Sequence, residues 1–194
     1  MSKLIIADNL ETLTAHGNSR RRLLQASLGA CALFAMPAAN AANSPRIYEK
    51  RLSLLNLHTG ERIRTAYWEQ GKYIPEALQA IARVLRDHRS GERHPIDPGL
   101  LDLIQHLHHK TGSSKEFQVI SGYRSPATNA TLAAKSHGVA KKSLHMQGKA
   151  IDIRLPGVPL NALRRAAMSM RVGGVGYYPE SNFIHVDTGN VRYW

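Results

Sequence analysis

Two histidines and an aspartate in the last third of the chain, His145, Asp152 and His185, have the residue types and setting of a metal site. Imidazole nitrogen and carboxylate oxygen both suit Zn²⁺, and a catalytic zinc needs three protein ligands with one position left open. His145 falls in a loop before a β-type segment, with Gly148 letting the backbone bend between them. On that segment Ala150, Asp152 and Arg154 share one face, and Ile151 and Ile153 face the core. On the later segment Phe183, His185 and Asp187 share a face. If the two strands are neighbours, Asp152 and His185 converge and His145 completes a facial triad. The chain holds 10 His, so spacing alone leaves solvated side chains as the other reading.

The elements that must position these groups read as follows. Lys50–Leu57 and Arg62–Glu69 alternate around the turn His58-Thr59-Gly60-Glu61, as a β-hairpin spanning residues 50–69 does. Ile74-Pro75-Glu76 opens a helix with Leu78, Ile81, Ala82 and Leu85 at helical spacing, ending near Ser90-Gly91. Asp97-Pro98-Gly99 opens a second, with Leu100, Leu101, Ile104 and Leu107 apolar. A short strand is expected at Phe117–Ser121 and a helix at Pro126–His137. Further on come a strand at Ala150–Leu155, a helix at Leu160–Met170, and strands at Val175–Tyr178 and Phe183–Asp187. The mixture predicts an α+β fold, a small antiparallel sheet flanked by helices.

The first forty residues read as an address. Ser19-Arg20-Arg21-Arg22-Leu23-Leu24-Gln25 is followed by an Ala-rich apolar run to Ala39 and a small-x-small site, Ala39-Asn40-Ala41. The order basic, apolar, small matches a cleavable twin-arginine export signal over residues 1–41, with the functional domain at 42–194. Leu28-Gly29-Ala30-Cys31 offers a lipoprotein alternative through Cys31, but the apolar run continues past the cysteine where a lipoprotein turns polar. The run is too short to span a membrane, so no stable anchor is expected. Removal of the leader leaves 153 residues with a charge of +10 and no Cys, a composition at ease in an oxidising compartment such as the periplasm. The single Cys excludes a disulfide framework and a Cys-rich zinc module. The charge favours anionic partners; no nucleic-acid recognition motif or stacking-aromatic stripe appears, and the export signal opposes that partner.

Ser143-x-His145-x-x-Gly148-x-Ala150-x-Asp152, preceded by Ser121-Gly122-Tyr123-Arg124-Ser125 and followed by the strand residue His185, resembles the zinc peptidases of the D-alanyl-D-alanine carboxypeptidase, VanX and hedgehog superfamily. More closely, the run from about Arg51 to Trp194 resembles the YcbK-like (MepK-type) murein endopeptidases, which also carry twin-arginine signals. Gly173-Gly174-Val175-Gly176-Tyr177-Tyr178-Pro179, then Phe183-Ile184-His185-Val186-Asp187-Thr188-Gly189, then Arg192-Tyr193-Trp194 carry that closer likeness.

The resemblance implies a hedgehog/DD-peptidase-like fold and one zinc per chain, with His145, Asp152 and His185 as ligands. It implies Arg124 as the cation that meets the substrate or its developing oxyanion. The implied reaction is hydrolysis of peptidoglycan cross-links, specifically diaminopimelate–diaminopimelate links, in the periplasm after passage through the twin-arginine translocon. A D,D- or L,D-carboxypeptidase, or a zinc-stabilised wall-binding module without turnover, are the alternatives. The proton acceptor departs from the family pattern. Relatives place Glu three residues, or His two residues, before the last ligand, and here those positions are Asn182 and Phe183. The acids within reach are Asp187, favoured on strand geometry though also suited to orienting a ligand, and Glu180 in the preceding loop.

Overall fold

The structure is a computed structural model that describes residues 48–135 and 139–194. The export segment at 1–41 lies outside them, as does His137 with the end of its expected helix. The described residues all fall within one unit, Asn43–Trp194. Its elements are β1 (Glu49–Asn56), β2 (Arg62–Glu69), β3 (Lys72–Tyr73), α1 (Pro75–Val84), α2 (Pro98–Thr111), β4 (Phe117–Ser121), α3 (Pro126–Lys135), a 3-10 turn (Leu144–Gln147), β5 (Ala150–Arg154), α4 (Leu160–Met170), β6 (Gly174–Tyr178), β7 (Phe183–Asp187) and β8 (Arg192–Tyr193).

The α+β class expected from the sequence is what forms. One eight-stranded sheet runs in the order β3-β2-β1-β4-β5-β7-β6-β8. It is antiparallel except where β1 meets β4 and β6 meets β8, which pair in parallel. The parallel β1–β4 pair is reached through a crossover containing α1 and α2, as parallel neighbours require. The expected β1–β2 hairpin forms, with Leu54 opposite Ile63 and Ser53 opposite Arg64.

The core lies on one side of the sheet. Leu52, Leu54, Tyr67, Phe117, Val119, Ile151, Ile153, Val175, Ile184 and Val186 join one buried cluster. Helix side chains complete it: Ile81 from α1, Leu100, Leu101, Ile104 and Leu107 from α2, and Leu163 and Ala167 from α4. Alternation along each strand therefore sends the intervening residues to the opposite face.

Helix α1 stops at Val84, short of Ser90-Gly91. The reason is Asp87, whose Oδ1 accepts the backbone N–H of Arg89 and whose Oδ2 accepts that of Ser125. The buried carboxylate thereby turns the chain out of the helix and ties it to the loop carrying Arg124. Asp97 caps α2 as expected, accepting from the Gly99 N–H, and Gly112 ends it in the left-handed region. Among the described residues no helix is long and apolar enough to cross a membrane.

Candidate metal centre

The strand register decides the site. In the β5–β7 pair Asp152 stands directly opposite His185, and on the far side of β7 His185 stands opposite Gly176 of β6. His145 arrives from the 3-10 turn before β5. Ser143 caps that turn, and Gly148 ends it at φ +66°, a conformation glycine adopts without strain. All three side chains are buried, and one ligand atom from each lies within 4.8 Å of the others. His145 Nε2 sits 3.2 Å from His185 Nδ1 and 3.2 Å from Asp152 Oδ1, and His185 Nδ1 sits 2.9 Å from Asp152 Oδ1.

The outer partners of the two rings fix what those atoms can be. His145 Nδ1 lies 2.7 Å from the Gly122 carbonyl, which only accepts, so this nitrogen carries the proton. His185 Nε2 lies 2.9 Å from Asp187 Oδ2 and donates to that carboxylate. In the neutral rings His145 Nε2 and His185 Nδ1 are then bare, and both point with Asp152 Oδ1 at a common centre. Three lone pairs converging inside the protein call for a cation. A tetrahedral ion about 2.0–2.1 Å from each donor would hold them about 3.3 Å apart. The triangle observed is close to that, so the residues fit a zinc ion.

Without such a cation a proton takes its place. Burial works against charge on His185, but hydrogen bonds to Asp152 and Asp187 outweigh it and raise the imidazole pKa to about 9. Burial likewise penalises the charged forms of Asp152 and Asp187. His145 and His185 nevertheless keep Asp152 well below the usual carboxylate range, and His185, Arg192 and the Gly174 and Gly189 N–H groups do so for Asp187.

The trio forms the floor of a cleft of about 370 Å³, lined also by Arg124, Lys142, Tyr178, Phe183 and Trp194. Arg124 Nη2 stands 3.6 Å from Asp152 Oδ2 and 3.4 Å from Ser121 Oγ, while its Nε is buried with no partner. Burial lowers the guanidinium pKa from its ordinary value, opposed by Asp152. Lining the cleft beside His145, Asp152 and His185, this guanidinium is a cation that a substrate oxygen entering the cleft could meet.

The other two acids expected nearby fall differently. Asp187 is fully buried and does not line the cleft. Its oxygens receive His185 Nε2, the Gly174 and Gly189 N–H groups, and both Nη atoms of Arg192. That geometry suits holding the His185 ring, and it leaves no lone pair for taking a proton from the cleft. Glu180 is exposed in the turn between β6 and β7, two residues beyond cleft-lining Tyr178. Among the described residues the only acid that lines the cleft is Asp152.

Sequence reasoning did not find the roles of Trp194, Arg192 and Gly122. The Trp194 ring lies 5.3 Å from the His185 ring and its Nε1–H donates to Tyr178 Oη at 2.8 Å, making a wall of the cleft. Arg192 anchors Asp187 and stacks its guanidinium 5.1 Å from the Trp194 ring. Only the closing Arg-Tyr-Trp pattern hinted at the first two. The Gly122 contact is made by a backbone carbonyl, which residue type does not advertise.

Comparison with known proteins places this geometry in context. The family model described as peptidoglycan L,D-endopeptidase MepK matches residues 41–194. The peptidoglycan L,D-endopeptidase MepK of Escherichia coli (strain K12) is 46% identical over 179 residues, covering 91% of this chain and 97% of the relative. A probable peptidoglycan L,D-endopeptidase MepK of Haemophilus influenzae is 45% identical over 151 residues, covering 77% of this chain and 79% of the relative.

Proposed function

Given that the chain belongs to the peptidoglycan L,D-endopeptidase MepK family, and is thus a hydrolase of peptide bonds, we propose that it opens peptidoglycan cross-links with one zinc ion held by His145, Asp152 and His185. The bond assigned is the diaminopimelate–diaminopimelate link, and the compartment is the periplasm, reached by the twin-arginine signal of residues 1–41. The observation that carries this reading is the convergence of two bare imidazole nitrogens and a carboxylate on the floor of an open cleft.

When bound, zinc supplies Lewis acidity, polarising a carbonyl and acidifying water. The protein supplies the rest. Gly122 and Asp187 hold the two imidazoles in the tautomers that leave their inner nitrogens bare. Arg124, which lines the cleft, offers its guanidinium to the carbonyl oxygen as negative charge grows there. Tyr178, Phe183 and Trp194 give an apolar wall along which the peptide lies. Asp187 serves as a positioning residue for His185, which leaves Glu180, exposed in the adjoining turn, as the candidate for proton transfer.

Digestion of purified sacculi with added Zn²⁺, followed by mass identification of the products, tests the proposal. The expected result is cleavage of diaminopimelate–diaminopimelate links, abolished by chelation and by His145→Ala, and slowed by Glu180→Gln at unchanged metal content. Cleavage that survives metal removal would overturn it. A second reading, a zinc-stabilised wall-binding module, draws on the shortage of acids in the cleft. It predicts metal-dependent binding to sacculi with no new product in the same assay.

A further inference from the structure

The face of the sheet that carries Asp152 and His185 continues well beyond the cleft. Arg154 follows Asp152 by two residues on β5 and so points to the same side. The register then runs sideways from Arg154 to Gln118 on β4, to Leu55 on β1 and to Arg62 on β2. Ser53 and Arg64 form the next row on that face. With strands about 4.8 Å apart, the row from β5 to β2 extends roughly 14 Å. Helices α1, α2 and α4 place their core side chains against the other face.

The cations on this face are not equivalent. Arg62 is paired with Glu116 at 3.0 Å, and Arg51 with Glu49 at 2.5 Å. Arg64 is exposed and Arg154 half-buried, and neither has a carboxylate within 4.0 Å among the described residues. Arg154 is also oriented: its Nε–H donates to Gln118 Oε1 at 2.7 Å. A guanidinium pinned at Nε presents its two Nη groups as a fixed fork, the arrangement that takes a carboxylate through two parallel hydrogen bonds.

We propose that this sheet face continues the cleft as a docking surface for the carboxylate-bearing peptides of the cell-wall polymer, with Arg154 and Arg64 as its anion-binding groups. The inference rests on the reading of peptidoglycan as the substrate. Charge complementarity with an anionic wall and continuity with the metal trio argue for it. A strip of this width accommodates about four residues of extended peptide beyond the scissile bond. Arg154 would fix the register of the peptide near the metal, and Arg64 would hold the polymer further out.

Co-sedimentation of the full chain with purified sacculi, carried out in the His145→Ala background so that nothing is digested, reads binding apart from turnover. Arg64→Glu/Arg154→Gln should bind about tenfold more weakly, since each charge faces the polymer directly. Arg165→Glu, an exposed charge reversal on α4 behind the sheet, should bind as the parent does. Sacculi with carboxylates converted to amides should bind the parent as weakly as ordinary sacculi bind the double variant. Arg64→Glu alone, at an exposed position, keeps the test open if the double variant fails to fold. Equal loss in Arg64→Glu and Arg165→Glu, or no loss in Arg64→Glu, overturns the surface. Failure of the wider functional reading shows separately, as wild-type protein with zinc that binds sacculi and releases no product.

Discussion

His185 has a carboxylate at each ring nitrogen, Asp152 on the cleft side and Asp187 on the buried side. The two aspartates therefore have opposite duties. Asp152 shares its oxygen with the metal trio, whereas Asp187 sets the tautomer that leaves Nδ1 bare. Asp187→Asn should weaken zinc binding about 10- to 100-fold, as loss of a ligand's hydrogen-bond partner does, with the ligand set itself unchanged. Competition with a chromophoric chelator measures it, and unchanged zinc affinity would remove the positioning role. The approach of Asp152 to His185 was legible in the sequence because the two sit at fixed phases of two strands, whereas His145, in the turn before β5, was singled out by the motif around it. The division of labour between the aspartates was not legible. Strand phase places Asp187 on the His185 side, but only the Gly174 and Gly189 N–H groups and Arg192 show that its oxygens are already engaged.

Among the elements, β5 and β7 make the site by being neighbours, and β6 and β8 finish it. The parallel β6–β8 pair brings Trp194 against Gly176, the residue opposite His185. A Cβ at position 176 would lie 2.6 Å from Trp194 Cε2, so the indole rests where only glycine leaves room. Gly176→Ala should displace Trp194 from the cleft wall at a cost of about 1–3 kcal/mol. A lower melting temperature with a red-shifted Trp194 emission, read in a Trp68→Phe background, checks this; an unshifted spectrum would contradict it. Elements of five residues or more were readable in several cases: β2, β4, α4 and β7 fall where the residue pattern puts them. Strands β3 and β8 were not, because two residues carry no period. The early end of α1 was missed for a related reason, since a tertiary contact, Asp87 to Ser125, ends a segment whose local pattern runs on.

For the molecule as a whole, the titration of the metal-free centre ties stability to pH. The folded pKa of His185, raised to about 9, exceeds the ordinary 6.5. Its contribution is therefore complete below about pH 6.5 and is lost as pH rises through 9. Asp152 and Asp187 are lowered from 3.8, so their contribution is present above that value and is lost on acidification. These are the same contacts viewed from their two ends. Metal-free protein should be most stable between about pH 4 and 6.5, and zinc, competing with the His185 proton, should bind more tightly as pH rises from 6.5 to 9. Thermal melts across pH, with calorimetry in buffers of different ionisation enthalpy to count protons released, would test both; zinc affinity flat over that range would contradict the coupling. The one-sided sheet has a further consequence. Along β5, Ile151 and Ile153 belong to the core face while Asp152 and Arg154 belong to the opposite face. Adaptation to a different wall chemistry can thus proceed through residues of that face such as Arg154, with Asp152 kept and the core-facing half preserving the scaffold untouched.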